Sequence, residues 1–580
     1  MYKTAHLFTQ KHSTVDENLR KVQVLFRMLA IGLGVLHVYA AIKSQSMNAD
    51  GISYLDIGDA YFRADWVNAI NPVWSPLYSW ILGLVNFLVR PPMEWEFPVV
   101  HMINLLIYMG TLASFEFLWE KIRWSHAPAV ETKTVQMPDW LWWVLGYLLF
   151  IWITLSLIEM WSVTPDMLMA SFVFLAAGLI AQIRAGDANF RNFLYLGLVL
   201  SLGYLSKTFM FAMALVFLAI SIIVIRRKTN SLPYVLGATG IFILISLPFI
   251  LLISEKKGKF TIGEAGTVTY VRYVNGIPFP HWQGDPIEGI IPTHLSRMVH
   301  QSPAVYEFGE PVGGTYPIST DPSFWYEGIE PRFDFGDLLR RLFASGVVYA
   351  ELFLQRQGIF FACVLALYMM GQRQKYPFEE TLRRWALVIP AVVAFGLYAT
   401  VLVEDRYVGA FILLFWADIL ANIQVPDLGK NRSWLKSLGL IASIGLMANI
   451  VIFNLNGFNR LNQSLEAGVV EPVAAPARPL AVAQSLRDLG LKTGDKVGVI
   501  GYAYDSFWAR LARVKIVSEM LETDAVEYWA SDNILQQSVL QAFAGTGAKA
   551  VIAEYVPDYA QLKDWHRVGD SNYYIYVFGE

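Results

Sequence analysis

The chain has 580 residues, of which 55% are hydrophobic and only 16% are charged, and its formal net charge is −3. A soluble globular protein is nearer a quarter charged, so this composition excludes an ordinary soluble domain. The almost balanced charge gives no basis for expecting nucleic acid as a partner, and the single cysteine, Cys363, excludes an intramolecular disulfide.

Apolar runs of about twenty residues, the length that crosses roughly 30 Å of hydrocarbon, recur along the chain and predict a polytopic α-helical membrane protein. The candidate spans cover about residues 24–43, 76–90, 98–119, 139–158, 165–183, 191–206, 208–226, 233–254, 349–371, 384–403, 405–423 and 434–455. The run 76–90 is short and ends in Arg90-Pro91-Pro92, so it either crosses the bilayer or re-enters its interface. We therefore expect about 11–13 transmembrane helices.

The orientation of the spans follows from the side of the membrane on which Lys and Arg collect. Basic clusters occur at 1–27, 121–133, 184–191, 226–228, 372–384 and 430–432. Placing these clusters in the cytoplasm puts the N-terminus inside. It leaves a first loop at 44–75, a long loop at 255–345 and everything after residue 456 outside.

The first outside loop carries an acidic, amphipathic run, Asn48–Trp66, directly after the first span. If this run is helical, Asp50 and Tyr54 share one face, because successive residues are about 100° apart. Asp56 and Asp59 fall on the other side and are expected to form the solvated face of an interfacial helix. Asp50 either belongs to that polar surface or is a general base held at membrane depth.

Glu159 and Asp166 bracket a short outside turn before the next span. Thr164 or Ser162 could cap the helix that begins at Pro165. Asp166 would then lie in the first turn, where the helix dipole favours an anion. Alternatively, Asp166 or Glu159 faces the same outside cavity as the acidic run.

Lys207 separates two predicted spans on the outside face, against the positive-inside trend. Its ammonium could extend to the membrane–water interface without a functional role, or it could bind a phosphate. The turn Glu404-Asp405-Arg406-Tyr407 also separates two spans with almost no loop. Its charges could pair with one another, or Arg406 could bind a phosphate bidentately.

The long outside loop, 255–345, is rich in aromatic residues and broken by Pro and Gly. The alternation in Thr267–Val274 predicts a strand. Arg272, His281 and Trp282 are candidate substrate-binding residues, since an aromatic ring could stack on a sugar, although such rings also anchor loops at membranes. The spacing of the loop's histidines matches no metal template.

Beyond the transmembrane domain (1–456) and a linker (457–479), residues 480–580 alternate between helix and strand patterns. They predict a small extracytoplasmic α/β domain. Its expected helices lie at about 480–490, 505–514 and 534–545, and its expected strands at 496–500, 514–517, 550–553 and 573–578. The first strand runs into Gly501-Tyr502-Ala503-Tyr504, which is not a GxGxxG motif, so no dinucleotide site is expected.

Several of these motifs, taken in order, resemble those of GT-C glycosyltransferases, in particular the bacterial members akin to protein mannosyltransferases and aminoarabinose transferases. The motifs are Asp50 and Tyr54 with the turn Trp74-Ser75-Pro76-Leu77-Tyr78 in the first outside loop, the "TPD" turn Thr164-Pro165-Asp166, Lys207, and the late "RY" pair Arg406-Tyr407. The resemblance covers roughly residues 20–425 and implies a GT-C-like fold.

By that resemblance, Asp50 matches the catalytic-loop acid, and Lys207 and Arg406 match positions that bind a lipid-linked phosphate. Many relatives have a second acid directly after the first, where this chain has Gly51. A two-carboxylate metal site is therefore not expected, no cofactor is implied with certainty, and dependence on a divalent metal stays open.

The resemblance implies an enzyme of the bacterial inner membrane that moves a sugar from a polyprenyl-phosphate donor to an outside acceptor, which is a protein, a lipid or a glycan. Direct displacement with Asp50 as base would invert the anomeric carbon. The expected supporting residues are Tyr54, Glu159, Asp166, Arg272, His281, Trp282, Glu404, Asp405 and Tyr407. The alternatives are a polymerase or ligase of polyprenyl-linked glycans, a lipid or solute transporter, which would need ionisable groups at mid-membrane, and a non-catalytic scaffold.

Overall fold

The computed structural model describes residues 2–125, 134–225, 232–278, 281–284, 289, 295–308, 313–321, 329–371, 377–427, 429–470, 479–554 and 556–579. The basic triplet at 226–228, and residues 126–133 and 372–376 of two other basic clusters, lie outside the described residues.

Helices make up most of the described chain. They are α1 (Tyr2–Lys43), α2 (Ala49–Phe62), α3 (Trp66–Ala69), α4 (Pro76–Val89), α5 (Glu96–Ser125), α6 (Asp139–Trp152), α7 (Asp166–Arg184), α8 (Phe190–Ser206), α9 (Met210–Val224), α10 (Leu232–Lys257), α11 (Ala265–Tyr273), α12 (Pro317–Thr320), α13 (Phe335–Ala350), α14 (Gly358–Met370), α15 (Phe378–Arg384), α16 (Val388–Ala399), α17 (Asp405–Asn422), α18 (Gly429–Val470), α19 (Pro479–Asp488), α20 (Phe507–Ala512), α21 (Glu522–Ala530) and α22 (Asn533–Gly545). Single π-helical turns, Ile153–Leu157 and Glu351–Gln355, continue α6 and α13.

Each predicted span coincides with a helix or with a pair of helices. Within the described residues, six helices are long and apolar enough to cross a membrane: Glu17–Lys43, Met93–Ser125, Asp139–Leu157, Asp166–Arg184, Leu232–Lys257 and Gly429–Leu455. The number rises to eight if two bent pairs each count as one span. These are Phe335–Gln355 with Gly358–Met370, bent by 79°, and Phe378–Arg384 with Val388–Ala399, bent by 73°. The polytopic helical architecture is thereby confirmed.

The count by length is smaller than the expected 11–13 because some apolar runs form short helices. One of these is α4, whose 14 residues rise only about 21 Å, less than the roughly 30 Å of a hydrocarbon core. It packs closely on α2 at Gly58 and Gly83. A Cβ atom on Gly58 would lie 2.6 Å from the carbonyl oxygen of Ser79.

The long helices expose apolar side chains on one face. Leu244 and Leu251 of α10 are 69% and 57% exposed, and Ile444 and Ile452 of α18 are 68% and 57% exposed. Exposure of such apolar surfaces to water is unfavourable, so these faces are suited to contact with lipid.

A seven-stranded sheet forms the centre of the α/β region, with the strand order β2-β3-β6-β5-β7-β9-β8. Its strands are β2 (Arg297–Gln301), β3 (Ala304–Glu307), β5 (Lys496–Ile500), β6 (Lys515–Met520), β7 (Ala550–Ala553), β8 (His566–Arg567) and β9 (Tyr574–Val577). The pairs β5–β6 and β5–β7 are parallel, and the other pairs are antiparallel. Strands β1 (Thr134–Val135) and β4 (Val425–Pro426) pair separately.

The long loop at 255–345 contributes two strands to this sheet. The hairpin β2–β3 pairs with β6, with Tyr306 opposite Glu519 and Glu307 opposite Ser518. The α/β region is therefore built from two distant parts of the chain. The strands predicted in the C-terminal region are all present, whereas α21 and β8 were not predicted.

The strand predicted at Thr267–Val274 is wrong, because α11 occupies Ala265–Tyr273. The alternation of β-branched and polar residues fits a strand, but tertiary contacts decide the conformation here. The amide of Glu264 donates to the carbonyl of Pro72, which fixes the start of the helix, and Val271 packs into the core of the α/β region.

The core of the α/β region continues onto the transmembrane helices. Ile52 of α2 and Phe97 of α5 lie in the same buried apolar cluster as Trp508 and Leu511 of α20. The two parts of the chain thus share one core, and α2 lies at their boundary.

The solvated face predicted for Asp56 and Asp59 is wrong. Asp56 is 7% exposed and binds Arg510, while Asp59 binds both Arg510 and Arg513. The run is helical, as expected, but the C-terminal region covers its acidic face.

Candidate active site

A cavity of about 660 Å³ lies where one end of the helical bundle meets the long loop and the α/β region. Segments that are far apart in the sequence line it, among them α2, the start of α7, the α8–α9 junction, α11 and the α16–α17 junction. Its charged lining residues are Asp50, Asp166, Lys207, Arg272, Glu404 and Arg406.

Helix α2 places Asp50 and Tyr54 in this cavity. Asn48, in extended conformation before the helix, accepts a hydrogen bond at 2.8 Å from the amide of Val163 instead of capping α2. This bond joins the start of α2 to the segment that precedes α7. Burial raises the pKa of Tyr54 well above its usual value, and the neighbouring Asp50 adds to the shift, so the phenol stays a neutral donor.

Helix α7 begins at Asp166, whose side chain faces the cavity and is buried at 1% exposure. The predicted cap by Thr164 or Ser162 is wrong. Pro165 occupies the N-cap position, and no side chain caps the helix. Asp166 instead binds the ammonium of Lys207 and lies 3.8 Å from a guanidinium nitrogen of Arg406.

Lys207 ends α8 in an extended conformation, which turns its side chain away from the helix and into the cavity. Besides pairing with Asp166, its ammonium lies 3.7 Å from the centre of the Tyr407 ring. The side chain is only 20% exposed. Lys207 therefore does not extend to a solvated interface but belongs to the cavity wall.

Arg406 pairs with acids from two parts of the chain, helix α2 and its own turn. One guanidinium nitrogen lies 3.1 Å from Asp50, and another lies 3.0 Å from Glu404 of its own turn. Asp405 faces elsewhere and pairs with Arg356. The turn is thus partly self-paired, as one sequence interpretation had it, yet its arginine also reaches Asp50 of α2.

The cluster holds two cations, Lys207 and Arg406, among three carboxylates, Asp50, Asp166 and Glu404. Charges taken out of water need partners, and here they pair with one another. An anionic ligand that bound the cations would compete with these internal pairs.

Four predicted site residues do not line the cavity: Asp405, described above, and Glu159, His281 and Trp282. Glu159 has a left-handed backbone (φ 56°), and burial raises the pKa of its carboxyl group.

His281 belongs to the core of the α/β region, which explains its distance from the cavity. Its Nε2 atom is 2.7 Å from Glu519, and its Nδ1 atom is 3.2 Å from Ser296. The ring stacks on Tyr306 with centroids 4.3 Å apart. A buried, fully bonded imidazole of this kind holds β3 and β6 in place. Trp282 packs at the edge of the same core.

Sequence reasoning missed several residues of the cavity wall, notably Ser319, Tyr398 and Tyr504, and named Trp74 only as part of a motif. Trp74 belongs to the turn Trp74–Tyr78 of the resemblance, and its indole N–H donates to the carbonyl of Ser319 at 3.1 Å. Tyr504 comes from the α/β region, directly after β5. Its only sequence signal was the Gly501–Tyr504 loop at the end of a strand, where ligands commonly bind in parallel sheets.

Gly51 is tightly enclosed. A Cβ atom there would lie 2.7 Å from Cβ of Val163 and 2.8 Å from the sulfur of Met47. A second acid at this position would not fit without a shift of the backbone. Within the described ranges, no group of three or more His, Cys, Asp or Glu side chains is arranged to hold a metal ion.

No protein-family model matches the chain, and no curated protein matches it. Solved structures are similar in fold. ArnT from Cupriavidus metallidurans bound to undecaprenyl phosphate is 11% identical at a TM-score of 0.49, covering 94% of this chain and 97% of ArnT. The Archaeoglobus fulgidus oligosaccharyltransferase in complex with Zn and sulfate is 10% identical at a TM-score of 0.45, covering 92% of this chain and 68% of that protein. Likenesses at this level assign the chain to no family.

Proposed function

We propose that the chain is an integral-membrane glycosyltransferase. It transfers a sugar from a polyprenyl-phosphate donor to an acceptor on the extracytoplasmic side of the bacterial inner membrane. The observation that carries the proposal is the meeting of Asp50, Asp166, Lys207 and Arg406, from four separate segments, in one cavity of about 660 Å³. The order of motifs that resembles GT-C enzymes supports it.

Lys207 and Arg406 are suited to a lipid-linked phosphate. A guanidinium can bind two phosphate oxygens at once, and an ammonium adds a second positive charge. As the glycosidic bond breaks, negative charge grows on the leaving phosphate, and cations already in position stabilise that charge. Asp166 contacts both cations and so sets their orientation before the donor binds.

Asp50 is suited to the role of base. In the proposed step, the acceptor hydroxyl oxygen attacks the anomeric carbon and the bond from that carbon to the phosphate oxygen breaks. The bonding electrons leave with the polyprenyl phosphate. The acceptor proton passes to Asp50, and the anomeric configuration inverts.

The Asp50–Arg406 contact links donor binding to this step. Arg406 donates to Asp50 at 3.1 Å. A phosphate that bound Arg406 would compete for the same guanidinium and release Asp50 toward the acceptor. The aromatic rings of Tyr273 and Tyr504, in the part of the wall formed by α11 and the α/β region, offer faces on which a sugar could stack.

The test is mass spectrometry of products from the purified protein in proteoliposomes, offered a panel of polyprenyl-phosphate sugars and extracts of envelope acceptors. Addition of one sugar to an acceptor supports the proposal. Long glycan products would assign the chain to polymerases or ligases, and solute uptake without turnover would assign it to transporters. No transfer from any donor would contradict the proposal.

A further inference from the structure

Five charged side chains from two distant parts of the chain form a buried cluster, named here the docking cluster: Asp56, Asp59, Glu96, Arg510 and Arg513. Arg510 lies 2.7 Å from an oxygen of each of the three acids. Arg513 adds bonds of 2.8 Å to Asp59 and 3.1 Å to Glu96. Arg510 itself is only 2% exposed.

The long loop also binds into the docking cluster. The amide of Thr315 donates to Asp56 at 2.6 Å, and its hydroxyl donates at 2.9 Å. Asp56 thus accepts bonds from the loop and from Arg510 at once. Helix α2, the long loop and the α/β region meet at this single carboxylate.

The docking cluster binds the face of α2 that is turned away from the reaction cavity. Asp59 is nine residues after Asp50, which places it about 180° around the helix, and Asp56 is about 120° away. A third side of α2 packs closely on α4 at Gly58. Helix α2 is therefore held between the α/β region and α4 while Asp50 faces the cavity.

The segment that carries Arg510 also reaches the cavity. Tyr504, six residues earlier, lines the cavity wall. Its ring lies 5.0 Å from that of Tyr316, whose hydroxyl donates to Glu519 at 2.8 Å. Docking of residues 503–513 therefore brings Tyr504 to the cavity and fixes α2 in the same contact.

We propose that Arg510 is a positioning residue, which holds α2 through Asp56, Asp59 and Glu96 so that Asp50 stays at Arg406 and the α/β region completes the reaction cavity. The inference rests on the proposed function for its catalytic consequence. Its structural part, that Arg510 docks residues 503–513 against α2, stands independently of which reaction occurs.

The first experiment compares three variants: Arg510→Lys, Arg513→Gln and the double variant Arg510→Gln/Glu96→Gln. The double variant keeps the net charge and leaves fewer buried carboxylates without a partner than Arg510→Gln alone. It therefore guards against simple failure to fold. Lys549→Gln is the matched control, since Lys549 is 62% exposed and pairs with Asp495 on the same α/β region. We expect kcat per folded molecule to fall at least tenfold in both Arg510 variants and less in Arg513→Gln. The donor KM should change by a smaller factor than kcat, because Lys207 and Arg406, the proposed phosphate-binding residues, are not part of the docking cluster.

A purely structural anchor would lower the yield of folded protein and leave kcat per folded molecule unchanged, and that result would overturn the inference.

The second experiment does not depend on transferase activity. Cys363 is buried, so the substitution Tyr504→Cys introduces a reporter for an impermeant maleimide. Labelling should become at least fivefold faster when Arg510→Gln/Glu96→Gln is added. Unchanged labelling would refute the docking role, even if wild-type protein shows no transferase activity.

Discussion

Asp50 and Arg406 are 356 positions apart in the chain, yet a guanidinium nitrogen of Arg406 lies 3.1 Å from a carboxylate oxygen of Asp50. The contact joins the start of α2 to the start of α17. It places a candidate base beside a candidate phosphate-binding cation, so the two can be tested as separate parts of one site.

Substitution Asp50→Asn keeps the size of the side chain and removes its ability to take a proton. We expect transfer to fall by roughly 10²–10⁴-fold, the usual contribution of a general base. The protein should fold normally, since Asp50 lies at the cavity and is 32% exposed. Glu94→Gln, an exposed acid between α4 and α5, is the control and should keep full activity. An active Asp50→Asn enzyme would remove Asp50 from the mechanism.

Substitution Arg406→Ala should raise the donor KM by about tenfold or more, because a hydrogen bond to a charged group is worth about 1.5–3 kcal/mol. Steady-state kinetics with a purified polyprenyl-phosphate sugar would measure this. Arg340→Ala is the control, since Arg340 is 82% exposed and pairs only with Asp337 among the contacts seen. Unchanged donor kinetics in Arg406→Ala would argue against phosphate binding there.

Lys207 needs a paired design, because Lys207→Met alone would leave the buried Asp166 without its ammonium partner. The double variant Lys207→Met/Asp166→Asn removes both charges and should fold more stably than the single variant. We expect it to retain a donor KM at least tenfold above that of the wild type. A normal KM in the folded double variant would restrict Lys207 to a structural ion pair.

Substitution Gly58→Ala tests the close packing of α2 on α4. The added methyl group would lie 2.6 Å from the carbonyl oxygen of Ser79, so the helices must separate. We expect a loss of about 1–3 kcal/mol in stability, seen as a lower Tm in detergent. Gly240→Ala is the matched control, since a methyl group there meets nothing within 4 Å and should stabilise α10 slightly. An unchanged Tm in Gly58→Ala would contradict the packing described.

The α/β region should lose stability as the pH rises from about 4.5 to about 7. Burial raises the pKa of Glu554 from its usual value near 4.5 to about 7, against hydrogen bonds from Ser506 and Trp508 that lower it. At a pH between these two pKa values, Glu554 holds a proton in the folded state that it has released in the unfolded state. The free energy of unfolding therefore falls with rising pH across this window, by roughly 3 kcal/mol, and is level above it.

Glu554→Gln should abolish this dependence. Thermal unfolding of the full chain at pH 5 and pH 8 would check it. The variant should have the higher Tm at pH 8 and a Tm close to the wild type at pH 5. Asp558→Asn, an exposed neighbour, should leave the pH profile intact. Parallel profiles for wild type and Glu554→Gln would show that another group titrates.

The transmembrane helices could be predicted because apolar length is a local property. Each predicted span matches a helix or a helix pair, and the strands after residue 495 were also found from local patterns. The strand predicted at 267–274 failed because its β-branched alternation also suits a short helix, and contacts at Glu264 and Val271 favour the helix.

The candidate site was predictable in part. Its charged members could be identified because charges at the ends of apolar spans are rare. The partners of Asp56 and Asp59 could not be predicted, since Arg510 and Arg513 lie in another region and no local pattern connects them. Tyr504 was missed for the same reason.

The seven-stranded sheet also constrains the order in which the protein can assemble. The β2–β3 hairpin is synthesised before all of the helices between residues 335 and 470, whereas its neighbour β6 follows them. Until the ribosome has delivered that strand, β3 presents an open edge, a known template for aggregation. A truncation after the last apolar helix would leave this edge permanently uncovered. Removal of the C-terminal region would therefore damage the retained part as well, and point substitutions at Arg510 are the cleaner way to study what it does.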